Sequence, residues 1–266
     1  NMSTSPDPVL LDVSPEGVAI VTLNRPEKRN AFDELMIAGL ADVFETLKGA
    51  DHVRVVFLRG AGEAFCAGAD IDWMRRAATF TEQGNETDAL ALARMLQHLR
   101  DLPQLTVALV HGAAIGGGIG LVAACDVAVA LSNSAFRFSE VRLGLTPATI
   151  SPHVVAAIGA RWAKALFATA ESFDGVFAEK IGLVHYVVED ENGLRSMSER
   201  LSDLALAAAP GAVADAKALV AHVAGRPIDD AMAKETARRI AQRRASAEGR
   251  EGLAAFLEKR KPEWNA

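Results

Sequence analysis

The chain has 266 residues, of which 50% are hydrophobic and 23% are charged, and its formal net charge is −6. This composition allows a large core to be buried and excludes disorder over the whole length. The acidic balance disfavours a general nucleic-acid binder, because such proteins need a positive field. We therefore expect a globular protein with no nucleic-acid partner.

Two cysteines are too few for a disulfide framework, and they match no zinc-binding spacing with the six histidines. We expect no metal and a reducing, cytoplasmic setting. Residues 1–8 have neither the basic nor the apolar part of a secretion signal. In the apolar stretch 108–131, His111 and Asp126 bracket only 14 residues, fewer than a membrane span requires. This stretch is predicted to be a buried strand, turn and helix.

The chain opens with strand signals. Segments 9–13 and 18–23 are apolar and flank Ser14-Pro15-Glu16-Gly17, which has the turn residues of a hairpin. A helix capped by Asp33 is predicted to run to about residue 48. Strands and helices then alternate, which is typical of an α/β fold. Further strands are predicted at 53–58, 106–110, 127–131 and 183–188. One further helix is predicted to begin at Asp70, and a second, after a polar break at 83–88, is predicted to end at Leu99. Other helices are predicted at 116–124 and around Val154 and Ala163.

Strand signals stop at residue 193. Three amphipathic helices are predicted beyond it, at 193–208, 211–223 and 229–247. We therefore divide the chain into a core, 1–190, and a helical region, 191–266, which packs on the core or on a neighbouring subunit.

Two glycine-containing loops each follow a strand and open a helix. One is Ala64-Phe65-Cys66-Ala67-Gly68-Ala69-Asp70, and the other contains Gly116-Gly117-Gly118. Paired N–H donors at such loops form an oxyanion hole when both point at one carbonyl oxygen. Close packing of strand on helix explains either loop equally well by itself. Neither loop is a GxGxxG motif followed by an acidic residue, so a dinucleotide cofactor is not expected.

Several motifs occur in the order and spacing of one family. They are Arg25-Pro26 with Asn30-Ala31, the AFCAGAD loop, HGAAIGGGIGL from His111, Cys125-Asp126, SEVRLGL from Ser139 with Pro147, and FLEKRKP from Phe256. Together they resemble the crotonase superfamily, also called the enoyl-CoA hydratase/isomerase family, over essentially the whole chain. Trp73-Met74, PATISP from Pro147 and the C-terminal EKRKPEW look most like bacterial methylglutaconyl-CoA and isohexenylglutaconyl-CoA hydratases.

The resemblance implies an α/β fold, a crotonase-like spiral of ββα units with a C-terminal helical trimerisation region, assembled as a homotrimer or a dimer of trimers. It also implies an acyl-CoA substrate, with CoA as part of the substrate and no separate cofactor. The thioester carbonyl would lie between the backbone N–H groups of Ala69 and Gly117, which match the family's donors by position. The CoA-binding positions carried over from the family are Lys28, Ala67, Gly68, Asp70, Ile71 and Lys259.

Glu140 is the acid–base residue that the resemblance implies. Family hydratases commonly carry a second glutamate, but Gly120 stands at its position. One buried carboxylate can take a proton from water and return it to the α-carbon if burial raises its pKa. The same group can move a proton between the α- and γ-carbons, as an isomerase does. From the residues alone, an ion pair with Arg142, Arg137 or Arg161 is the favoured explanation of Glu140.

We expect reversible hydration of a 2-enoyl-CoA of the glutaconyl type, such as 3-methylglutaconyl-CoA in leucine or isoprenoid breakdown. The absence of an acid at position 120 removes a charge that would repel an anionic acyl group. Arg75, Arg76 or Arg142 would bind the distal carboxylate, and Arg76 is preferred. Two alternatives stay open: an enoyl-CoA Δ3/Δ2 isomerase, and a non-catalytic family member that binds acyl-CoA or RNA.

Overall fold

The computed structural model describes residues 6–265, and over that range the chain has nine strands and ten α-helices. The strands are β1 (Val9–Val13), β2 (Val18–Leu23), β3 (Val55–Gly60), β4 (Leu105–Val110), β5 (Ala113–Ile115), β6 (Val127–Leu131), β7 (Ala135–Arg137), β8 (Phe173–Asp174) and β9 (Tyr186–Val188). The helices are α1 (Glu34–Lys48), α2 (Ile71–Ala77), α3 (Glu82–Arg100), α4 (Gly117–Ala124), α5 (Ser151–Thr169), α6 (Gly175–Ile181), α7 (Glu191–Leu206), α8 (Pro210–Val223), α9 (Asp230–Ala245) and α10 (Ala247–Leu257).

The main sheet has six strands in the order β1-β2-β3-β4-β6-β9. The predicted hairpin is present as the antiparallel pair β1 and β2, and every later neighbour in the sheet pairs in parallel. Parallel strands are buried on both faces, which explains the nearly continuous apolar runs of β3 and β4. The predicted α/β class is therefore confirmed.

Alternate residues of the sheet enter two different cores, because successive side chains of a strand point to opposite faces. Val55, Phe57, Val107 and Val129 pack in a smaller cluster with Leu194, Leu201 and Ala205 of α7. Their neighbours, among them Val56, Leu58, Ala108 and Ala130, pack in the larger core with α1, α3 and α4. The first helix of the C-terminal region thus shares a core with the sheet, and the boundary near residue 190 stays a prediction.

A second sheet, in the order β5-β7-β8, was not predicted from the sequence. Its strands have only two or three residues each, too few to show an alternating pattern. β5 and β7 pair in parallel, so Ile115 lies opposite Arg137. This pairing places the segment after β7 beside the start of α4.

Two helix predictions were wrong. The segment 83–88 is not a break but forms the first turns of α3, where Thr81 Oγ1 caps the helix by accepting from Gly84 N at 3.0 Å. The helix predicted at 229–247 ends at Ala245, and α10 follows it. Ser246 separates the two helices because its backbone is extended and its Oγ accepts from Gly249 N at 3.0 Å. The predicted caps Asp33 and Asp70 are confirmed.

Asp126 of the Cys125-Asp126 motif joins the sheet to α8. Its Oδ2 accepts from Thr106 N at 2.9 Å, while its own N–H donates to Thr106 Oγ1 at 2.9 Å. Lys217 Nζ lies 2.7 Å from the same Oδ2 and also donates to the carbonyls of Leu102 and Gln104, both at 2.6 Å. The motif therefore has a structural role.

Within residues 6–265 no single helix has both the length and the apolar character to cross a membrane, and only the bent pair of α7 and α8 meets that test when the two helices are taken together.

Asn30 joins the two loops that follow β2 and β3. It is fully buried, and its backbone has the left-handed φ of 57°. Its Oδ1 accepts from Arg25 N at 2.8 Å, and its Nδ2 donates to the carbonyls of Ala61 and Ala64, both at 2.9 Å. The side chain satisfies three backbone groups that would otherwise lack partners.

We predict that Asn30→Ala lowers the free energy of unfolding by about 2 to 4 kcal/mol, because buried polar groups lose their partners and alanine is strained at this φ. Urea denaturation followed by circular dichroism measures the loss. Asn85→Ala, on the exposed surface of α3, is the matched control and should change stability by less than about 0.5 kcal/mol. Equal effects of the two substitutions would contradict this role of Asn30.

Candidate active site

The site lies where β3 and β4 end. The loop after β3 and the segment after β4 run side by side: Cys66 N donates to Ala113 O at 3.0 Å, and Ile115 N donates to Cys66 O at 2.9 Å. The carboxyl ends of parallel strands are where ligands bind in open α/β sheets. The two glycine-containing loops of the sequence therefore meet, as expected.

Each loop has one backbone N–H without an acceptor in the described chain, and the two residues concerned, Ala69 and Gly117, line the same cavity. Gly117 is the first residue of α4, so its N–H has no acceptor within the helix. Around Ala69, the backbone bonds on either side run to Phe32, from Phe32 N to Gly68 O at 2.6 Å and from Asp70 N to Phe32 O at 2.8 Å. In the described chain neither Ala69 N nor Gly117 N donates a hydrogen bond outside a helix or strand. Two such donors on one cavity suit a carbonyl oxygen that becomes negative.

Glu140 reaches the same cavity from the end of β7. Its Oε2 lies 2.9 Å from where a Cβ at Gly116 would be, so the carboxylate sits directly against the start of α4. Gly116 has φ 51° and ψ −118°, a conformation that glycine alone adopts readily. Its N–H donates to Arg137 O at 2.9 Å, which fixes α4 to the strand that carries Glu140.

Glu140 Oε1 is buried and has no hydrogen-bond partner among residues 6–265. The ion pair expected from the residues alone is wrong: across this range Glu140 forms no salt bridge, and Arg137 Nε instead donates to Ala170 O at 2.8 Å. Burial raises the pKa of Glu140 above its ordinary value of 4.5. A carboxylate that is buried, unpartnered and beside free N–H donors is a candidate general acid and base.

The cavity has a volume of about 350 Å³. Most of its lining is apolar, and Asp88 and Glu140 are the charged residues that line it within the described chain. Trp73 Nε1 donates to Asp88 Oδ1 at 3.2 Å, which holds the start of α3 to α2. The apolar lining is Phe32, Trp73, Met74, Leu92, Leu143, Leu145, Pro147 and Ile150.

The positions expected to bind CoA cluster around the start of α2, with one exception. Lys28 Nζ lies 3.8 Å from Asp70 Oδ1, Ala67 N donates to Arg29 O at 2.9 Å, and Ala67 and Gly68 line the cavity. Ile71 is exposed beside them. Lys259 lies on the C-terminal segment, whose Trp264 O accepts from Arg54 at the start of β3. Arg54 and the cavity lie at opposite ends of β3, which has six residues and is therefore about 20 Å long.

The profile of the enoyl-CoA hydratase/isomerase family matches residues 14–266. The chain belongs to this family. It is 32% identical over 248 residues to the short-chain-enoyl-CoA hydratase of Clostridium acetobutylicum, covering 92% of this chain and 93% of that one. Among solved structures, an enoyl-CoA hydratase of Shewanella pealeana superposes with a TM-score of 0.93 at 38% identity, covering 97% and 96% of the two chains. Pseudomonas aeruginosa AtuE gives a TM-score of 0.92 at 39% identity, covering 97% and 100%.

The family's fold is confirmed by these superpositions.

The structure also shows a cavity residue, Ile150, that the sequence analysis did not single out. Ile150 lines the cavity, and its Cγ2 is 2.5 Å from where a Cβ at Gly120 would be. Residue 150 was part of a recognised motif, but nothing local in the sequence shows that it packs against residue 120.

The structure does not support Arg76 as the residue that binds a distal carboxylate of the substrate. Arg76 is exposed and pairs with Glu34 through Nε and Nη2, and Arg75 pairs with Asp72. Both lie on the side of α2 away from the cavity, whose lining includes Trp73, Met74 and Ala77. Arg142 is also exposed and outside the lining, but in the described part of the chain it forms no salt bridge, and it lies in sequence between Glu140 and Leu143, which line the cavity.

The cysteines and the other acidic groups offer no competing site. Burial raises the pKa of Cys66 and of Cys125 to about 12, so neither is a thiolate at neutral pH. Over residues 6–265 no three His, Cys, Asp or Glu side chains are grouped as metal ligands. A larger cavity of about 650 Å³ lies against α7, but the free N–H groups of Ala69 and Gly117 are not in its lining.

We predict that Glu140→Gln raises the thermal stability at pH 8. Because burial raises the pKa of Glu140, its charge destabilises the fold once the pH exceeds that pKa, and the neutral amide removes this cost. Below about pH 4 the wild-type carboxyl is protonated in both states, so the gain should vanish there. Calorimetry at both pH values tests this. Glu45→Gln on the exposed side of α1 is the control, and a Glu140→Gln variant less stable than wild type at pH 8 would contradict the prediction.

Proposed function

We propose that the protein adds water reversibly across the double bond of a 2-enoyl-CoA thioester. The observation that carries this proposal is the buried, unpartnered Oε1 of Glu140 in a cavity that also exposes the N–H groups of Ala69 and Gly117. Buried polar atoms normally have partners, and those that do not are frequent at sites where a substrate supplies one.

In this proposal the thioester oxygen accepts from Ala69 N and Gly117 N. Glu140 takes a proton from a water molecule while the water oxygen bonds to C3, and negative charge moves onto the thioester oxygen as an enolate. The two N–H donors stabilise this charge more than they stabilise the neutral carbonyl. The protonated Glu140 then gives its proton to C2, the thioester carbonyl re-forms, and the carboxylate is restored. A raised pKa suits a group that must both take and return a proton.

An enoyl-CoA isomerase is the second candidate, and the single carboxylate favours it. Glu140 would then remove a proton from the α-carbon and return it to the γ-carbon while the double bond moves from the β,γ to the α,β position, with no water consumed. Mass spectrometry distinguishes the two reactions, because hydration gives a 3-hydroxyacyl-CoA of higher mass and isomerisation does not.

The CoA part of the substrate is proposed to bind around the start of α2. Lys28 and Lys259 would meet its phosphates, and the backbone near Ala67 and Asp70 would meet its adenine. Lys28 has the position for this role in its own protomer. Lys259 is on the segment whose Trp264 O accepts from Arg54 at the start of β3, and on this ground we propose that it serves the site of a neighbouring copy. The free, reduced thiols agree with a reaction in the cytoplasm.

A glutaconyl-type acyl group, such as that of 3-methylglutaconyl-CoA, is the finer form of the proposal. Gly120 gives the cavity one carboxylate fewer than family hydratases commonly have, which reduces repulsion of an anionic acyl group. The distal carboxylate needs a cation, and Arg142 replaces Arg76 as its candidate because it has no acidic partner in the described chain.

We predict that Glu140→Gln lowers kcat for enoyl-CoA hydration by about 10²- to 10⁴-fold, because the amide cannot accept a proton from water. Binding of the CoA ester should be nearly unchanged, as measured by calorimetry with the saturated acyl-CoA. A kcat within a few-fold of wild type would remove Glu140 from the mechanism.

We predict that Arg142→Ala lowers kcat/KM for 3-methylglutaconyl-CoA by about tenfold or more, the usual loss when a charged hydrogen bond is removed. The value for crotonyl-CoA, which has no distal carboxylate, should be unchanged. Arg76→Ala is the matched control and should affect neither substrate, since Glu34 already holds that guanidinium. Equal losses on both esters would contradict the role of Arg142, and a preference for crotonyl-CoA would contradict the glutaconyl proposal.

A trimer, or a pair of trimers, is proposed because the C-terminal region exposes several large apolar side chains. Ile228 is 98% exposed and Phe256 is 79% exposed. The others are Val220, Ile240, Leu253 and Leu257.

We predict that Phe256→Glu combined with Leu257→Glu dissociates the assembly, because charges at a buried apolar contact are costly. Sedimentation velocity should show a trimer or hexamer for wild type and smaller species for the variant. Val176→Glu, at an exposed apolar residue of α6, is the control and should leave the assembly intact. A wild-type monomer would contradict the proposal.

A further inference from the structure

Two glycines lie at the start of α4: Gly116 is its N-cap residue and Gly120 is inside the helix. A different side chain covers each. Glu140 Oε2 lies 2.9 Å from the Cβ position of residue 116. Ile150 Cγ2 and Cβ lie 2.5 and 3.0 Å from the Cβ position of residue 120. The carboxylate of Glu140 and the side chain of Ile150 both line the same cavity.

Ile150 is held firmly in this place. It is 2% exposed, belongs to the main core, and immediately precedes α5. Its carbonyl accepts from the N–H groups of His153 and Val154, both at 3.1 Å, so the residue is fixed to the first turn of α5. A β-branched side chain has little rotamer freedom with which to move aside. A side chain at residue 120 would therefore collide with Ile150 rather than displace it cheaply.

We infer that Ile150 is a positioning residue for the reaction: it occupies the place where a second carboxylate on α4 would stand, and it forms the dry wall that leaves Glu140 as the one acid–base group. The catalytic part of this inference rests on the proposed function. Ile150 leaves no space for a side chain at position 120, which is glycine. Together the two residues leave the site with a single carboxylate, that of Glu140.

The electrostatic surroundings of Glu140 support a role for the wall. Burial is the main cause of the raised pKa of Glu140. α4 carries no charged residue. The titratable or charged groups on the elements packed around the carboxylate include Asp88 on α3, Asp70 with Lys28 before α2, Arg142 on its own turn, Arg137 on β7 and His153 on α5. Because Ile150 and Glu140 line the same cavity, replacing Ile150 by alanine makes room for water in that cavity without changing any of these charges.

The contact between Ile150 and position 120 is tested by introducing Gly120→Ala into wild type, Ile150→Ala and Ile150→Val. With Ile150 present, the new Cβ should lower Tm by about 3 to 10 °C, the usual effect of overpacking in a domain of this size. Ile150→Ala removes Cγ2 and should reduce that loss by at least half. Ile150→Val keeps Cγ2 and should leave the loss in place, which makes it the matched control. The same loss in the Ile150→Ala background as in wild type would overturn the contact.

The role of the wall is tested by the pH dependence of kcat/KM for hydration. In Ile150→Ala the acid limb should move to lower pH by about half a unit or more, because the ionised Glu140 becomes better hydrated. Ile158→Ala, a buried isoleucine on the same helix that does not line the cavity, should leave the limb where it is. A limb that Ile150→Ala does not move would overturn the inference.

The inference and the proposed function can fail separately. If wild type hydrates no enoyl-CoA, the proposed function fails. The wall is then tested by ¹³C NMR titration of the Glu140 carboxyl, assigned with Glu140→Gln. A lower pKa in Ile150→Ala than in wild type supports the wall, and an unchanged pKa overturns it. Where Ile150→Ala does not fold, Ile150→Thr gives the same readout, since it removes two of the side-chain carbons and adds a hydroxyl that hydrates the carboxylate.

Discussion

The close approach of α4 to the loop after β3 is the contact on which the site depends. Three consecutive glycines make it possible. A Cβ at Gly116 would meet the Glu140 carboxylate, one at Gly117 would meet the Phe32 ring at 2.8 Å, and one at Gly118 would meet Cys66 O at 2.5 Å. Only a helix start without side chains allows two N–H donors and a carboxylate to share one small cavity.

The buried amide that joins the loops beside this contact has hydrogen-bond partners for both of its polar atoms, whereas the carboxylate proposed to do the chemistry lacks one. Asn30 forms three hydrogen bonds between the loops. Glu140 Oε1, by contrast, is left without a partner at a cost to stability. Proteins tolerate such a cost where function requires it, and the satisfied network around the site holds the unsatisfied group in place.

The assembly proposal follows from the same geometry. Trp264 of the C-terminal segment contacts Arg54 at the start of β3, whereas the cavity lies beyond the end of β3, and this is the basis for proposing that Lys259 serves another copy. The exposed apolar side chains of α8 to α10 give that segment a reason to contact another copy. A site completed by a neighbour would then link oligomerisation to CoA binding.

The sequence by itself determined the α/β class, the hairpin, the caps at Asp33 and Asp70 and the two glycine loops, because capping and periodicity act within a few residues of the chain. Glu140 came from the family resemblance, and its catalytic role stays a proposal. Tertiary structure decided the rest. Strands of two or three residues exist only through their pairing, so β5, β7 and β8 were missed. The pairing of Arg76 with Glu34 joins residues 42 positions apart, and the packing of Ile150 on Gly120 joins residues 30 positions apart. Such contacts depend on which surfaces the folded layers bring together, and no local pattern in a single sequence encodes them.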